Sequence, residues 1–406
     1  MKRAHFRLSL LAASITSLMS SSIFAAAFQL YELGTPIIGT AAVGQAAVTN
    51  DASIAYFNPA GMSQLNSTQF MVGTQVVTPS IHFSIGGQNT ISGGNGGNAG
   101  VLTPGGSVFY VYQFSPKLKL GASFTTPYAG ELDYTNGWVG RYIVQSMTFY
   151  AIDLNPALSY SVNNWLALGV GATLEYASLN QTVALPITDL VDGQANIKTT
   201  DYAPGFNIGI LLTPYETTKI GIAYRSRILH DLKGNTTFLR ISATPATSTK
   251  MTMPHNIIIS LDQAITNRFD ILGELGWSNW SSMQSAVVNI AGFTATTKLN
   301  WNNTYRIGLG AKFLATPTVT FQGGASYDSS PTKITLRTPD LPMDKQIRLA
   351  AGLMYSASKA IKLGFSYEYF NLGNAPINNT SSLGTLQGHY GKNYMNIVQA
   401  SVNVDC

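Results

Sequence analysis

A transmembrane antiparallel β-barrel of about fourteen strands is the fold class this 406-residue sequence predicts, and three observations carry it. Charged residues make up only 11% of the chain, against about 25% in soluble domains. No apolar run near 20 residues, the length a membrane helix needs, follows the N-terminal stretch. Segment after segment instead alternates apolar with polar or small residues, and the connections between segments alternate short with long.

The elements follow in order. Met1-Lys2-Arg3 and Arg7 give a cationic start, and Leu8 to Ala25 carries no charge. Residues 1–25 therefore read as a secretory signal peptide, with cleavage expected after Ala25 or Ala27. Its removal takes away three cations and lowers the formal charge from +5 to +2. No dense Lys/Arg run remains, so nucleic acid is not an expected partner.

Residues 26–67 break the pattern of the rest. Asp51 to Leu65, DASIAYFNPAGMSQL, is rich in small residues and centres on Asn58-Pro59-Ala60-Gly61, where proline fixes φ and removes a donor. Leu30, Ile37, Ile38, Tyr56 and Phe57 make this stretch too apolar for a solvated tail. A plug inside the barrel is expected, because fourteen strands enclose a lumen too wide for wall side chains to fill.

From residue 68 to residue 406 the chain reads as wall. In YRIGLGAKF, Tyr305, Ile307, Leu309, Ala311 and Phe313 alternate with Arg306, Gly308, Gly310 and Lys312. IKLGFSYEY does the same, and a period of two puts each set on its own face, the apolar one towards lipid. Fourteen such segments begin near residues 68, 107, 118, 147, 165, 200, 218, 250, 268, 303, 317, 345, 360 and 391. Short turns such as Ser115-Pro116-Lys117 and Val162-Asn163-Asn164 alternate with longer loops near 87–106, 136–146, 184–199, 233–249, 291–302, 329–344 and 375–390. Short periplasmic turns and long outer loops are the pattern of a bacterial outer-membrane protein, here expected to be a monomer among outer-membrane lipid and lipopolysaccharide.

Two local features stand out within the wall. Leu118, Leu120, Ala122 and Phe124 alternate cleanly, and Pro127-Tyr128-Ala129-Gly130 then interrupts the third strand with a kink or bulge. Trp277 and Trp280 are expected in an aromatic girdle. The five histidines have no ligand spacing, so no metal site and no cofactor are expected. No Gly-x-Ser-x-Gly element marks a nucleophile, which counts against an outer-membrane lipase. The plug counts against a non-specific porin.

The segment FQLYELGTPIIGTAAVGQAAVTNDASIAYFNPAGMSQL resembles the N-terminal hatch of the FadL family of outer-membrane transporters, including the motif at Asn58, Pro59 and Ala60. The resemblance continues in order through LNPALSYSVNNWLALGVGATLEYA, IGIAYRSRILHDLKG, LGWSNWSSM, YRIGLGAKF, ASYDSSP and TPD. It implies transport, not catalysis, with long-chain fatty acids as the first expected ligand and neutral aromatic or alkane hydrocarbons as the alternative. It also implies capture at an extracellular groove and transfer to a lumen pocket stoppered by Phe28. Exit would then be lateral, at the third-strand kink formed by Pro127, Tyr128, Ala129 and Gly130. Lys298 falls near one basic head-group position of the family, whereas Ala177 to Thr182 holds no Arg or Lys at the other.

Overall fold

The computed structural model describes residues 29–188, 191–239, 243–381 and 384–406. Phe28 and the expected signal peptide lie outside the described residues. The wall is one closed antiparallel sheet of fourteen strands, each paired with its neighbours in sequence and the last paired with the first. These are β1 (Gln69–Ile85), β2 (Thr103–Gln113), β3 (Leu118–Asp133), β4 (Ser146–Ser161), β5 (Leu166–Thr188) and β6 (Val191–Tyr215). Five strands come in two pieces, the first four being β7 (Thr218–Arg225 and Ile228–Phe238), β8 (Ala246–Met253 and Asn256–Thr266), β9 (Phe269–Ser278 and Ser285–Ile290) and β10 (Phe293–Lys298 and Thr304–Thr316). The circuit ends with β11 (Val319–Asp328), β12 (Gln346–Ser356), β13 (Ile361–Asn371 and Ile377–Ser381) and β14 (Gly384–Asp405). Gln69 faces Asp405 where β1 and β14 close the wall.

Alternation decides which face is which. On β10, Tyr305, Ile307, Leu309 and Phe313 are exposed, while Arg306 and Lys312 are buried. The same holds on β13, where Phe365 and Tyr367 point out and Glu368 is fully buried. Apolar side chains that look exposed here are the lipid-facing band, and the ionised residues are turned into the lumen, where partners replace water.

Four stretches expected as loops are continuations of the ladder, one of them 233–249, where Lys233, Gly234 and Asn235 pair with Ser248, Thr247 and Ala246. The β5–β6 pairing runs to Thr188 and Val191, the β9–β10 hairpin pairs Ser285–Ile290 with Phe293–Lys298, and Ile377–Ser381 pairs back onto β14. In these extensions the apolar residues, among them Leu185, Ile197, Val288, Ile290 and Ile377, face inward and join the core, the reverse of the apolar-out alternation that reveals a strand inside lipid. Trp280 also departs from the expected girdle. β9 breaks into a short 3-10 turn at Trp280–Ser282, which swings the indole inward until it is buried against Tyr128 and Trp301. With Trp138, Met283, Leu299, Phe370 and Tyr390 it belongs to an apolar core filling the long-loop half of the lumen.

Candidate functional site

The described N-terminal segment, residues 29–67, lies among inward-facing wall side chains. A 3-10 turn at Pro36–Thr40 packs on β10 to β14, and a second at Pro59–Gln64 packs on β3 to β6, so the segment bridges the lumen. A four-residue helix, Ile54–Phe57, joins Leu33, Met62, Met71 and Phe109 in a small apolar cluster. Several contacts are backbone on backbone. A Cβ on Gly73 of β1 would stand 1.9 Å from the Gly34 carbonyl oxygen, so glycine is required there.

Asn58 is fully buried between these turns. Its Nδ2 donates to the carbonyl oxygens of Ala46 (2.7 Å) and Ile210 (3.0 Å), and its Oδ1 accepts from Ala60 N–H at 3.1 Å. One amide thus caps the second 3-10 turn, ties it back to the segment's first half and fixes both to β6. The wall leaves room for it. Gly169 and Gly209 face each other on β5 and β6. A Cβ at Gly209 would lie 2.0 Å from Asn58 Oδ1, and one at Gly169 would lie 2.3 Å from Ala60 N. Nearby, Asp51 Oδ1 accepts from Ser53 N and Oγ. Burial pushes the Asp51 carboxyl above its ordinary range, against Ser53 and Lys362.

Ionic contacts hold the other side. Arg348 on β12 donates from Nε to Glu32 Oε1 at 2.7 Å, and Arg306 on β10 donates from Nη2 to the Ala41 carbonyl at 2.6 Å. Glu274 on β9 accepts from Gly44 N, Gln45 N and Gln45 Nε2. The Tyr31 ring lies 4.2 Å from the Arg306 guanidinium carbon. On the opposite wall, Arg225 of β7 stacks over Tyr56 at 3.9 Å and donates to its carbonyl at 3.0 Å.

The third strand is irregular where the sequence expects it. β3 pairs with β4 as far as Thr125–Asp153 and resumes only at Tyr128–Ala151, so Thr126 and Pro127 fall in a bulge. Its other edge is open. β2 and β3 are laddered only between Val108–Phe124 and Gln113–Lys119, and the next contact along that edge of β3 is the Gly100–Leu132 bridge. Thr103–Ser107 and Thr125–Glu131 therefore face one another across a slot in the wall with no ladder between them. Behind the slot is a cavity of about 290 Å³ lined by Leu30, Leu33, Gly105, Ala129, Gly130 and Phe149 among others. Leu30 N–H donates to the Pro127 carbonyl at 2.8 Å, and Gln29 bridges to Tyr128. Tyr128 is buried and turned inward. The start of the described chain is thus pinned to the kink.

Lys298 is placed elsewhere. It is exposed at the end of the β9–β10 hairpin, paired with Ser285, and it does not line the cavity behind the slot. Beside it Leu299 and Trp301 are buried. Over residues 177–182 the inward polar group is Gln181, which donates to the Ile143 carbonyl, and no cation stands there. Of the basic groups that reach the lumen, Arg225, Arg306 and Arg348 contact the N-terminal segment, and only register across neighbouring strands shows which partners they meet.

Comparison with known proteins gives a consistent picture. Residues 16–404 match the family described as outer membrane protein transport protein (OMPP1/FadL/TodX). The long-chain fatty acid transport protein of Escherichia coli K12 is 24% identical, over 86% of this chain and 89% of that protein. Outer membrane protein P1 of Haemophilus influenzae is 25% identical, over 90% of each. Among solved structures, a Pseudomonas aeruginosa FadL homologue superposes with a TM-score of 0.87 at 19% identity, covering 93% of this chain and 99% of that one. The Ralstonia pickettii toluene transporter TbuX gives 0.70 at 17% identity, covering 93% and 100%.

Proposed function

The chain belongs to the OMPP1/FadL/TodX family of outer-membrane transport proteins and is an outer-membrane β-barrel transporter of hydrophobic compounds, and on that premise we propose a lateral route for its ligand. The observation that carries this reading is the unladdered slot between β2 and β3, opening from the cavity at Leu30 and Ala129 towards lipid. A hydrophobic molecule leaving by that slot stays out of water. An aqueous path would cost it about 25 cal/mol per Å² of apolar surface.

In this proposal residues 26–67 act as a hatch, with Asn58, Pro59 and Ala60 as its anchor. Phe28 is the stopper; it precedes Gln29, which already bridges to Tyr128 at the kink. Pro127, Tyr128, Ala129 and Gly130 form the gate. The ligand enters from the outer side, and displacement of the segment's first residues frees the cavity behind the slot. The protein works as a monomer surrounded by outer-membrane lipid and lipopolysaccharide. Long-chain fatty acids are the proposed ligand, and neutral aromatic or alkane hydrocarbons, as the toluene-transporter name of one fold neighbour suggests, are the second reading.

Lys298 enters this proposal at the outer capture step, where its exposed ammonium can meet a carboxylate before the chain slides inward. Lys298→Ala should weaken capture of oleic acid roughly tenfold and of oleyl alcohol hardly at all, a difference of about 1.4 kcal/mol. Binding titrations of the purified protein with both ligands measure it. Equal effects on acid and alcohol would favour the neutral class.

A further inference from the structure

Five consecutive wall strands contribute to one belt of ionisable side chains in the lumen: Glu274 on β9, Arg306 on β10, Asp328 on β11, Arg348 on β12 and Glu368 on β13. They form an alternating series. Arg306 donates to Glu274 at 2.9 Å and to Asp328 at 2.8 Å, and Arg348 donates to Asp328 at 2.6 Å. The last link is not closed. Glu368 Oε1 stands 3.7 Å from Arg348 Nε. Glu368 receives no hydrogen bond from an amide, hydroxyl or basic donor among the described residues, although the side chain is fully buried; its carboxyl meets that of Glu32 instead. A buried carboxylate left without donors is costly, and native structures seldom keep one without a reason.

The reason lies in the N-terminal segment. The Nε–H that would complete the series goes instead to Glu32, at 2.7 Å. We infer that Glu32 and Glu368 are alternative acceptors for Arg348. Glu32 holds the segment docked, and Glu368 takes the guanidinium when the segment leaves. This rests on the proposed displacement of that segment during transport.

Without a second acceptor, departure of Glu32 would strand one edge of a buried guanidinium, and breaking a buried pair in that way is strongly unfavourable. With Glu368 waiting, a small side-chain movement closes a series made entirely of wall residues. The contacts around Arg348 divide the same way. The Tyr31 ring, 5.3 Å from its guanidinium carbon, leaves with the segment, while the Phe370 ring at 3.7 Å stays. Each position of Arg348 is therefore supported by an acid and a ring, as a two-state element requires. Glu368 is a positioning residue in this scheme; it acts through Arg348 and touches no ligand.

The test uses the full-length protein with Cys406→Ser and a spin label on Gln29→Cys, in lipid nanodiscs, with oleic acid and hexadecane as probes. Ligand should mobilise the label in the otherwise native protein. Glu368→Gln should cut the mobilised fraction on the order of tenfold, the usual size of such a coupling. Glu368→Asp should restore part of it, and heat-modifiable migration should show both barrels assembled. A Glu368→Gln label mobilised as freely as the parent's would overturn the role of Glu368 while leaving a moving segment intact. A parent label that stays fixed during uptake would remove the displaced segment and this switch with it. A crystal structure of Glu32→Ala reads the exchange directly, whatever transport shows. Arg348 Nε should move to within hydrogen-bond distance of Glu368, and a separation still near 3.7 Å would overturn the proposal.

Discussion

Replacing Pro127 and Gly130 together with valine is expected to lower uptake of oleic acid or of toluene by roughly tenfold or more, with each factor of ten corresponding to about 1.4 kcal/mol. The variant should still assemble and still bind ligand from outside. Valine at 127 restores the backbone donor that proline lacks, and both valines favour regular pleat, so β3 gains the means to ladder onto β2. The slot bounded by Val108–Phe124 and Gly100–Leu132 is a few residues long, so even partial laddering closes most of it. The Leu30 N–H to residue-127 carbonyl bond does not depend on proline, and docking of the segment should survive. Single-cell uptake is compared with binding by the purified variant. Normal uptake through a wall shown to be straight would rule out exit at this place.

The barrel was legible because lipid imposes a period of two on every segment inside the hydrocarbon. Arg306 and Lys312 could be assigned to the lumen, and Tyr305 to Phe313 to lipid, from alternation alone. The same rule explains the misreadings. At 184–199 and 291–302 the ladder continues with its apolar face turned inward, where Leu185, Ala195, Ile197 and Ala295 are buried, so the apolar-out pattern of a lipid-facing strand is missing there. Trp280 carries the usual mark of a girdle residue, but a break in β9, which no single residue announces, turns it inward. The belt from Glu274 to Glu368 was harder still. Each of its members is visible as an inward charge, yet only the register between five strands shows that they touch. Lys298 illustrates the opposite limit: it was singled out by its nearness to a head-group position of the family it resembles, and in the β9–β10 hairpin its side chain is exposed.

Asn58→Ala should release the N-terminal segment without unmaking the wall. The substitution deletes three hydrogen bonds and leaves the Ala46 carbonyl, the Ile210 carbonyl and the Ala60 N–H without that partner in a buried site. Each such orphan costs roughly 1–3 kcal/mol, so docking should weaken by about 3 kcal/mol or more. That raises the undocked fraction on the order of a hundredfold, at about 1.4 kcal/mol per factor of ten. No wall strand depends on Asn58 for its ladder, and heat-modifiable migration should be native. The expected signature is a rise in ion conductance of single proteins in planar bilayers, together with a loss of regulated uptake. Gly209→Val approaches the same contact from the wall. A side chain there would meet Asn58 Oδ1, whose distance from a bare Cβ is already only 2.0 Å, and should give the same leak by expelling the amide. Agreement between two variants on different elements would locate the anchor at their contact. A tightly closed, normally transporting Asn58→Ala protein would mean that the ionic side, through Arg306 and Arg348, holds the segment by itself.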